Sequence, residues 1–248
     1  MPNPKAQPFT KYGLSWLPNT SALDIEFEII AQTDEWRKAN GLTLFDHYKA
    51  AQCIIWPDHD IHRWSELALR SMVENEVCIF MGSGDSNKTY SMAKFVLVDW
   101  WCRPEKAIWL VSSTELRGAE LRIWGVLKQL FNQGRDLHPH LRGAVLESAH
   151  AITTESTCND NSEGRLLTQG IVFVPCKVGN TWKGLSSYIG VKPQPGGRLG
   201  HCGDEVASMH PSFTDAYANW MGKAEGAFKG IMSGNPFDTD DTLCRAAE

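Results

Sequence analysis

The sequence predicts an α/β fold, a mainly parallel central sheet flanked by helices. Two short apolar runs, Val77-Cys78-Ile79-Phe80-Met81 and Ala107-Ile108-Trp109-Leu110-Val111, read as strands buried on both faces. Each run stops at small polar residues, and each is followed by a stretch with helical spacing of its apolar positions. Strand, helix, strand, helix is the alternation that builds parallel sheets.

The elements follow in order. Residues 1–25, rich in Pro, Asn and Ser, carry no helical or strand period and read as an extended arm. From about 25 to 72 the pattern is helical and aromatic, with Trp36, Phe45, Tyr48, Trp56 and Trp64. Within it, Ile61–Met72 carries an apolar stripe close to 3.6 residues in period. The first strand is 77–81. Residues 88–101 form a helix spreading Tyr90, Met92, Phe95, Val96 and Trp100. The second strand, 107–111, ends in Ser112-Ser113-Thr114, and residues 115–132 form a long helix with Leu116, Ala119, Ile123, Leu127 and Leu130 on one face. Ala144–Ile152 suits a strand, Thr153–Gly164 a polar loop, and Ile171–Val174 a further strand. Residues 189–197, with Pro193, Pro195, Gly196 and Gly197, form a loop, and Arg198–Cys202 is a weak strand because it contains Gly200 and His201. Phe228–Met232 is the last strand. Residues 1–60 are expected to be an arm and helical lead-in, and 61–248 one domain.

Composition removes several classes. The chain has 248 residues, 42% hydrophobic and 21% charged, which excludes a disordered polymer. No apolar run approaches the roughly 18–20 residues that span a bilayer, and Met1-Pro2-Asn3-Pro4-Lys5 lacks a signal-peptide core, so a soluble protein is expected. The net charge of −5 leaves no global basic field, so any nucleic-acid contact must come from a local patch or from several subunits together. Seven cysteines, with no C-x-x-C pair, suit buried thiols in a reducing cytoplasm better than zinc or disulfides.

The first strand runs into Gly82-Ser83-Gly84-Asp85-Ser86-Asn87-Lys88-Thr89. This is the register G-x-x-x-x-G-K-[ST] of a phosphate-binding P-loop, with Asn87 where the second glycine is expected. Backbone N–H groups of such a loop and of the following helix cradle phosphates, the lysine reaches the β/γ-phosphates, and the threonine hydroxyl binds Mg²⁺. Asn is among the few residues that accept left-handed backbone geometry cheaply, so the loop can still form. After the weak strand come Asp204 and Glu205. Adjacent acids at a sheet's carboxyl edge suit metal binding and activation of an attacking water. After the last strand, Ser233, Gly234 and Asn235 are small groups able to hydrogen-bond a γ-phosphate or that water, though the same residues also make a plain turn.

With these pieces in this order, the chain resembles the ATPase domain of tailed-phage terminase large subunits, from about Arg63 to about Asp241. The stretches that carry the likeness are GSGDSNKTYS (82–91), SSTELRGAELRIWG (112–125), GDEVASM (203–209) and SGNP (233–236). The resemblance implies a P-loop NTPase core of the additional-strand, catalytic-glutamate type, using ATP and Mg²⁺. By position, Gly82, Ser83, Gly84, Asp85, Ser86, Asn87 and Lys88 would hold the phosphates, and Thr89 and Asp204 the metal. Glu205 would be the general base, Ser233, Gly234 and Asn235 the coupling motif, and Trp64 a stacking partner for the base or a core residue. No arginine lies within 82–89, where many members of the family carry one, so Arg117 and Arg122 are candidates; about 140° apart on a helix, one could reach across a subunit boundary while the other braces its own domain by a salt bridge or touches DNA phosphate, unless both are solvated surface charges.

The function implied is ATP hydrolysis driving double-stranded DNA into a procapsid in the host cytoplasm. The implied partners are DNA, the capsid portal, the small terminase subunit and further copies of the chain in a ring. The family's nuclease half is not expected here, nor is DNA cleavage. A helicase-like translocase shares all three motifs but needs a second motor domain; a degenerate, non-hydrolysing P-loop scaffold is the non-enzymatic reading.

Overall fold

The computed structural model describes residues 41, 43–59, 61–82, 87–114, 118, 120–154, 169–176, 191–193, 195–210, 217, 219–222 and 228–247. Seven strands form one sheet: β1 (Val77–Met81), β2 (Ala107–Ser113), β3 (Ala144–Leu146), β4 (Ala151–Thr153), β5 (Gly170–Pro175), β6 (Arg198–Gly203) and β7 (Phe228–Gly234). Their spatial order is β1-β7-β6-β2-β5-β4-β3. The five strands from β1 to β5 in that order pair in parallel, and β4 runs antiparallel to both β5 and β3. The last strand in sequence, β7, therefore lies between β1 and β6.

Five helices are described: α1 (Leu44–Ile55), α2 (Arg63–Glu74), α3 (Lys88–Cys102), α4 (Ile123–Leu137) and α5 (Thr242–Ala247). The chain enters α1 through a capping box, in which the Thr43 hydroxyl accepts from the Asp46 N–H and the Asp46 carboxylate accepts from the Thr43 N–H. α2 ends against β7: the Lys229 ammonium donates to the carbonyls of Met72, Val73 and Asn75. A cation there complements the partial negative charge of a helix C-terminus and ties α2 to the sheet.

Both faces of the sheet are covered, which is why β2 reads as a continuous apolar run and is buried throughout. Trp109 and Val111 face the core under α1, α3 and α4; Ile108 and Leu110 face the core formed with Trp220, Phe228 and Leu243. The first core is aromatic. Tyr48 stacks on Phe95 at 5.0 Å, Trp101 on Phe131 at 5.6 Å, and the Trp56 indole N–H donates to the Leu130 carbonyl at 2.9 Å. α1 thus packs into the same core as α3 and α4. Deep in that core, Asp99 accepts from the Tyr48 hydroxyl at 2.5 Å and the Trp109 indole at 2.8 Å, and pairs with Arg198 at the start of β6.

Three elements differ from the sequence expectation. Ala144–Ile152 is two short strands split by a helical turn at Glu147–Ala149, where His150 has a positive φ of 47°. The long helix expected at 115–132 is regular from Ile123 to Leu137; residues 115–117 and 119 lie outside the described ones. The strand before Asp204 is fully formed despite its glycines. Gly200 is required there, because a Cβ would sit 2.3 Å from the Trp109 indole of the neighbouring strand. Close packing overrides a poor intrinsic strand preference. The expected arm at 1–25, the extent of residues 1–40, and most of the polar loop at 153–164 lie outside the described residues. No helix among the described residues is long and apolar enough to cross a membrane.

Candidate functional site

The site gathers where β1, β7 and β6 end side by side. Gly82, just past β1, donates its N–H to the Gly234 carbonyl at the end of β7, at 3.4 Å. Asn87 follows as the residue before α3, with φ 60° and ψ 20°. That is the left-handed geometry for which glycine is the usual choice, and Asn tolerates it better than most side chains. Lys88 and Thr89 open α3. The Lys88 ammonium donates to the Gly82 carbonyl at 2.5 Å, spanning the loop from helix to strand end. Residues 83–86, between them, lie outside the described residues, as does Arg117.

Thr89 and Asp204 meet although they are 115 residues apart in sequence. The Thr89 hydroxyl donates to Asp204 Oδ1 at 3.3 Å, and the Ser233 hydroxyl donates to the same oxygen at 2.9 Å. Asp204 is only 3% exposed. Burial pushes its carboxyl above the usual carboxylate range, and the neighbouring Glu205 adds to that; the hydroxyls of Ser233 and Thr89 and the charge of Arg122 work the other way. Asn235, following Ser233 and Gly234, has its side-chain oxygen buried with no hydrogen-bond partner among the described residues. An acceptor left unsatisfied beside a polar cluster carries a desolvation cost that a further donor would relieve.

Glu205 also sits in left-handed geometry, with φ 60° and ψ 42°, immediately before a helical turn at Val206–Ser208. For a glutamate this costs on the order of 1–2 kcal/mol, and strain of this kind tends to gather at working sites. Its carboxylate pairs with Arg122 at 3.2 Å. Of the two arginines considered from the sequence, Arg122 thus has its side chain in a salt bridge within its own chain, beside Asp204.

Beside the loop opens a cavity of about 700 Å³, lined by His62, Trp64, Leu67, Phe80, Gly82 and Lys88 among others. Trp64 is 73% exposed on its wall, so it is a surface aromatic and not a core one. The cavity's apolar side comes from α2 and β1, and its charged end is Lys88. Such a division suits a flat apolar group joined to an anion.

Sequence reasoning missed the support behind Asp204. His201, three residues earlier on β6, is fully buried, with its ring bonded to the Tyr217 hydroxyl at 2.6 Å and the Ser112 hydroxyl at 3.0 Å, and stacked on Trp220 at 5.0 Å. Ser112 in turn takes the Asp204 N–H on its backbone carbonyl at 2.9 Å. Burial drives the His201 ring down to about 3, so it stays neutral. The signal was a histidine in a strand flanked by glycine and cysteine, which marks a buried polar position rather than an exposed one. The cysteines at 53, 78, 102, 176, 202 and 244 are free thiols.

Comparisons with family models, with curated proteins and with solved structures found no match to this chain.

Proposed function

We propose that this chain hydrolyses a nucleoside triphosphate, ATP on the family resemblance, as the motor domain of a terminase-type DNA-packaging machine. One observation carries the hydrolytic part: the hydroxyls of Thr89 and Ser233, from two separate segments, converge on one buried oxygen of Asp204 from a third, where β1, β6 and β7 end. The placement of β7 between β1 and β6 supports an additional-strand P-loop core, in which the strand bearing the coupling residues separates the phosphate loop from the acids. Open parallel sheets place their ligands at the carboxyl ends of the strands.

Each residue has a role in this reading. The loop from Gly82 and the N-terminus of α3 cradle the phosphates, with Lys88 as the fixed cation. Trp64 and the apolar wall of the cavity receive the base. Thr89 and Asp204 fit a hard divalent cation, being a hydroxyl and a buried carboxylate whose ionised form burial disfavours until positive charge arrives. Mg²⁺ at this position would supply charge neutralisation for the phosphates. Glu205 takes the proton of the attacking water, the Asn235 side-chain oxygen accepts a hydrogen bond from that water, and Asn235 with Ser233 and Gly234 forms the coupling motif. The packaging assignment, with its partners (double-stranded DNA, the capsid portal, the small terminase subunit and a ring of like chains), rests on the four family-like stretches of sequence.

The test is Mg²⁺-dependent ATP turnover by the purified protein. Lys88→Ala is expected to abolish turnover and weaken nucleotide binding strongly. Glu205→Gln is expected to retain binding while turnover falls by about 10²–10⁴-fold, the usual loss for a general base. Turnover at the wild-type rate in Lys88→Ala would end the P-loop assignment, and nucleotide binding without turnover in the wild type would favour the scaffold reading.

A further inference from the structure

Lys94, on α3, is only 5% exposed, yet among the described residues no carboxylate pairs with it. Its ammonium lies over two aromatic rings, 5.0 Å from the centre of Tyr90 and 5.7 Å from that of Trp56. Of the titratable groups nearby, none supplies a buried counter-charge. Burial pushes the Cys53 thiol up to about 12, so it stays protonated. Burial and the charge of Lys94 hold the His59 ring below the usual histidine range, and burial raises the Tyr90 phenol. Glu66 is paired with Lys49 at 3.0 Å, and Asp58 is exposed to solvent. A cation buried in this way carries its desolvation cost uncompensated, and burial accordingly pulls the Lys94 ammonium down to about 8, which still leaves it charged at neutral pH.

Lys94 borders a small cavity of about 10 Å³ where α1, α2 and α3 meet, the room of one water or one monatomic ion. Its walls also carry Gln52, Ser65, Asn87, Tyr90 and Ser91. Gln52, on α1, is 6% exposed, and its side-chain nitrogen is buried with no hydrogen-bond partner among the described residues. Ser91 is 8% exposed. An ammonium and an amide NH₂ donate and never accept, and a serine hydroxyl turns to donate as well. Three side chains that are more than nine-tenths buried thus bring donors and one positive charge to a single small space. We infer that this cavity is a binding site for a small monovalent anion, a halide such as chloride, held by the Lys94 ammonium and the Gln52 amide and tying α1 and α2 to α3. A water accepts from two donors and leaves the charge unanswered, whereas a halide accepts from all of them and neutralises the lysine. A phosphate group is too large for this room. Asn87 and Ser91 line both this cavity and the larger one beside the loop, so the two are neighbours, but the halide site stands whatever the larger cavity binds.

The test uses chloride itself, through the extra linewidth that the purified protein gives the chlorine NMR signal of a sodium chloride solution. The wild type is expected to broaden the signal, bromide to remove the broadening by competition, and inorganic phosphate at equal ionic strength to leave it in place. Lys94→Met keeps the length of the side chain without its charge and is expected to lose the bromide-sensitive broadening. Gln52→Leu is expected to weaken chloride binding by about fivefold, the worth of one neutral hydrogen bond. Because the site exists only in the folded chain, replacing sodium gluconate by sodium chloride should also raise the urea midpoint of the wild type relative to that of Lys94→Met. No bromide-sensitive broadening in the wild type overturns the inference and assigns the cavity to water. Equal broadening in Lys94→Met, shown to be folded by circular dichroism, overturns it as well, since the ions then bind elsewhere on the surface, and displacement by phosphate overturns the monatomic ligand. Should Lys94→Met fail to fold, Gln52→Leu carries the comparison, and undiminished chloride binding there overturns the site.

Discussion

Lowering the pH is expected to unfold this protein through His201, the ring that braces the strand in front of Asp204. In the native state burial holds the ring near 3, against 6.5 for an ordinary histidine. The sign follows from proton counting. Between about 6.5 and about 3 the unfolded chain binds a proton that the folded chain does not, so stability is fully present above 6.5 and is lost as the pH falls through that window. The loss grows with each unit below 6.5, reaching on the order of 2–3 kcal/mol between pH 7 and about pH 4.5 from this one group. The ring is wholly buried, so no solvent screening reduces that figure. Other groups titrate in the same range, and the comparison variant His201→Gln separates them. Its amide can bond toward Ser112 or Tyr217 and carries no titrating proton. Urea unfolding followed by tryptophan fluorescence, at pH 7 and about pH 4.5, gives the acid-induced loss for each protein. The loss in His201→Gln should be smaller than in wild type by on the order of 2–3 kcal/mol, whatever the variant's stability at pH 7. Equal losses in the two proteins would refute the reasoning, since the ring would then take up its proton in the folded chain as well.

Two further predictions concern backbone geometry. Asn87→Gly is expected to leave nucleotide binding within about twofold of wild type, because glycine adopts the observed φ of 60° freely, whereas the β-branched Asn87→Val should cost on the order of 1–2 kcal/mol and weaken binding at the loop; denaturant midpoints and ADP affinity check both. Gly200→Ala drives a methyl to 2.3 Å from the Trp109 indole in a core with no room to give, and is expected to lower stability by about 3 kcal/mol or more, read as a fall in the thermal midpoint.

Much of the architecture is legible in the chain itself. Ala107–Val111 announces a strand buried on both faces, because a covered parallel strand must be apolar at every position; Val77–Met81 reads the same way but is the edge strand of the sheet, with Cys78 buried and Met81 exposed. The spacing of Gly82, Lys88 and Thr89 is legible because it is set within a few residues, as is the left-handed backbone at Asn87. Asp204 is a different case. An Asp-Glu dipeptide after a glycine-rich strand carries almost no local signal, and Gly200 and His201 argue against the strand that presents it. Both exceptions come from contacts with residues distant in sequence: Trp109 occupies the space a side chain at 200 would need, and Tyr217 and Ser112 satisfy the histidine.

The α/β class, the strands at 77–81, 107–111, 171–174 and 228–232, and the spacing of Gly82, Lys88 and Thr89 are readable in the chain, since burial pattern and turn chemistry are written in local spacing. Long-range packing is what inserts β7 between β1 and β6, brings the hydroxyls of Thr89 and Ser233 to Asp204, and pairs Arg122 with Glu205 of its own chain. Trp64, left between base stacking and core packing by its spacing, is placed at the mouth of a cavity by the docking of α2 against the sheet. Strand order, and hence which polar groups share a site, is set by how two covered faces bury their side chains together. That is a sum over long-range contacts with no counterpart in any short window of sequence.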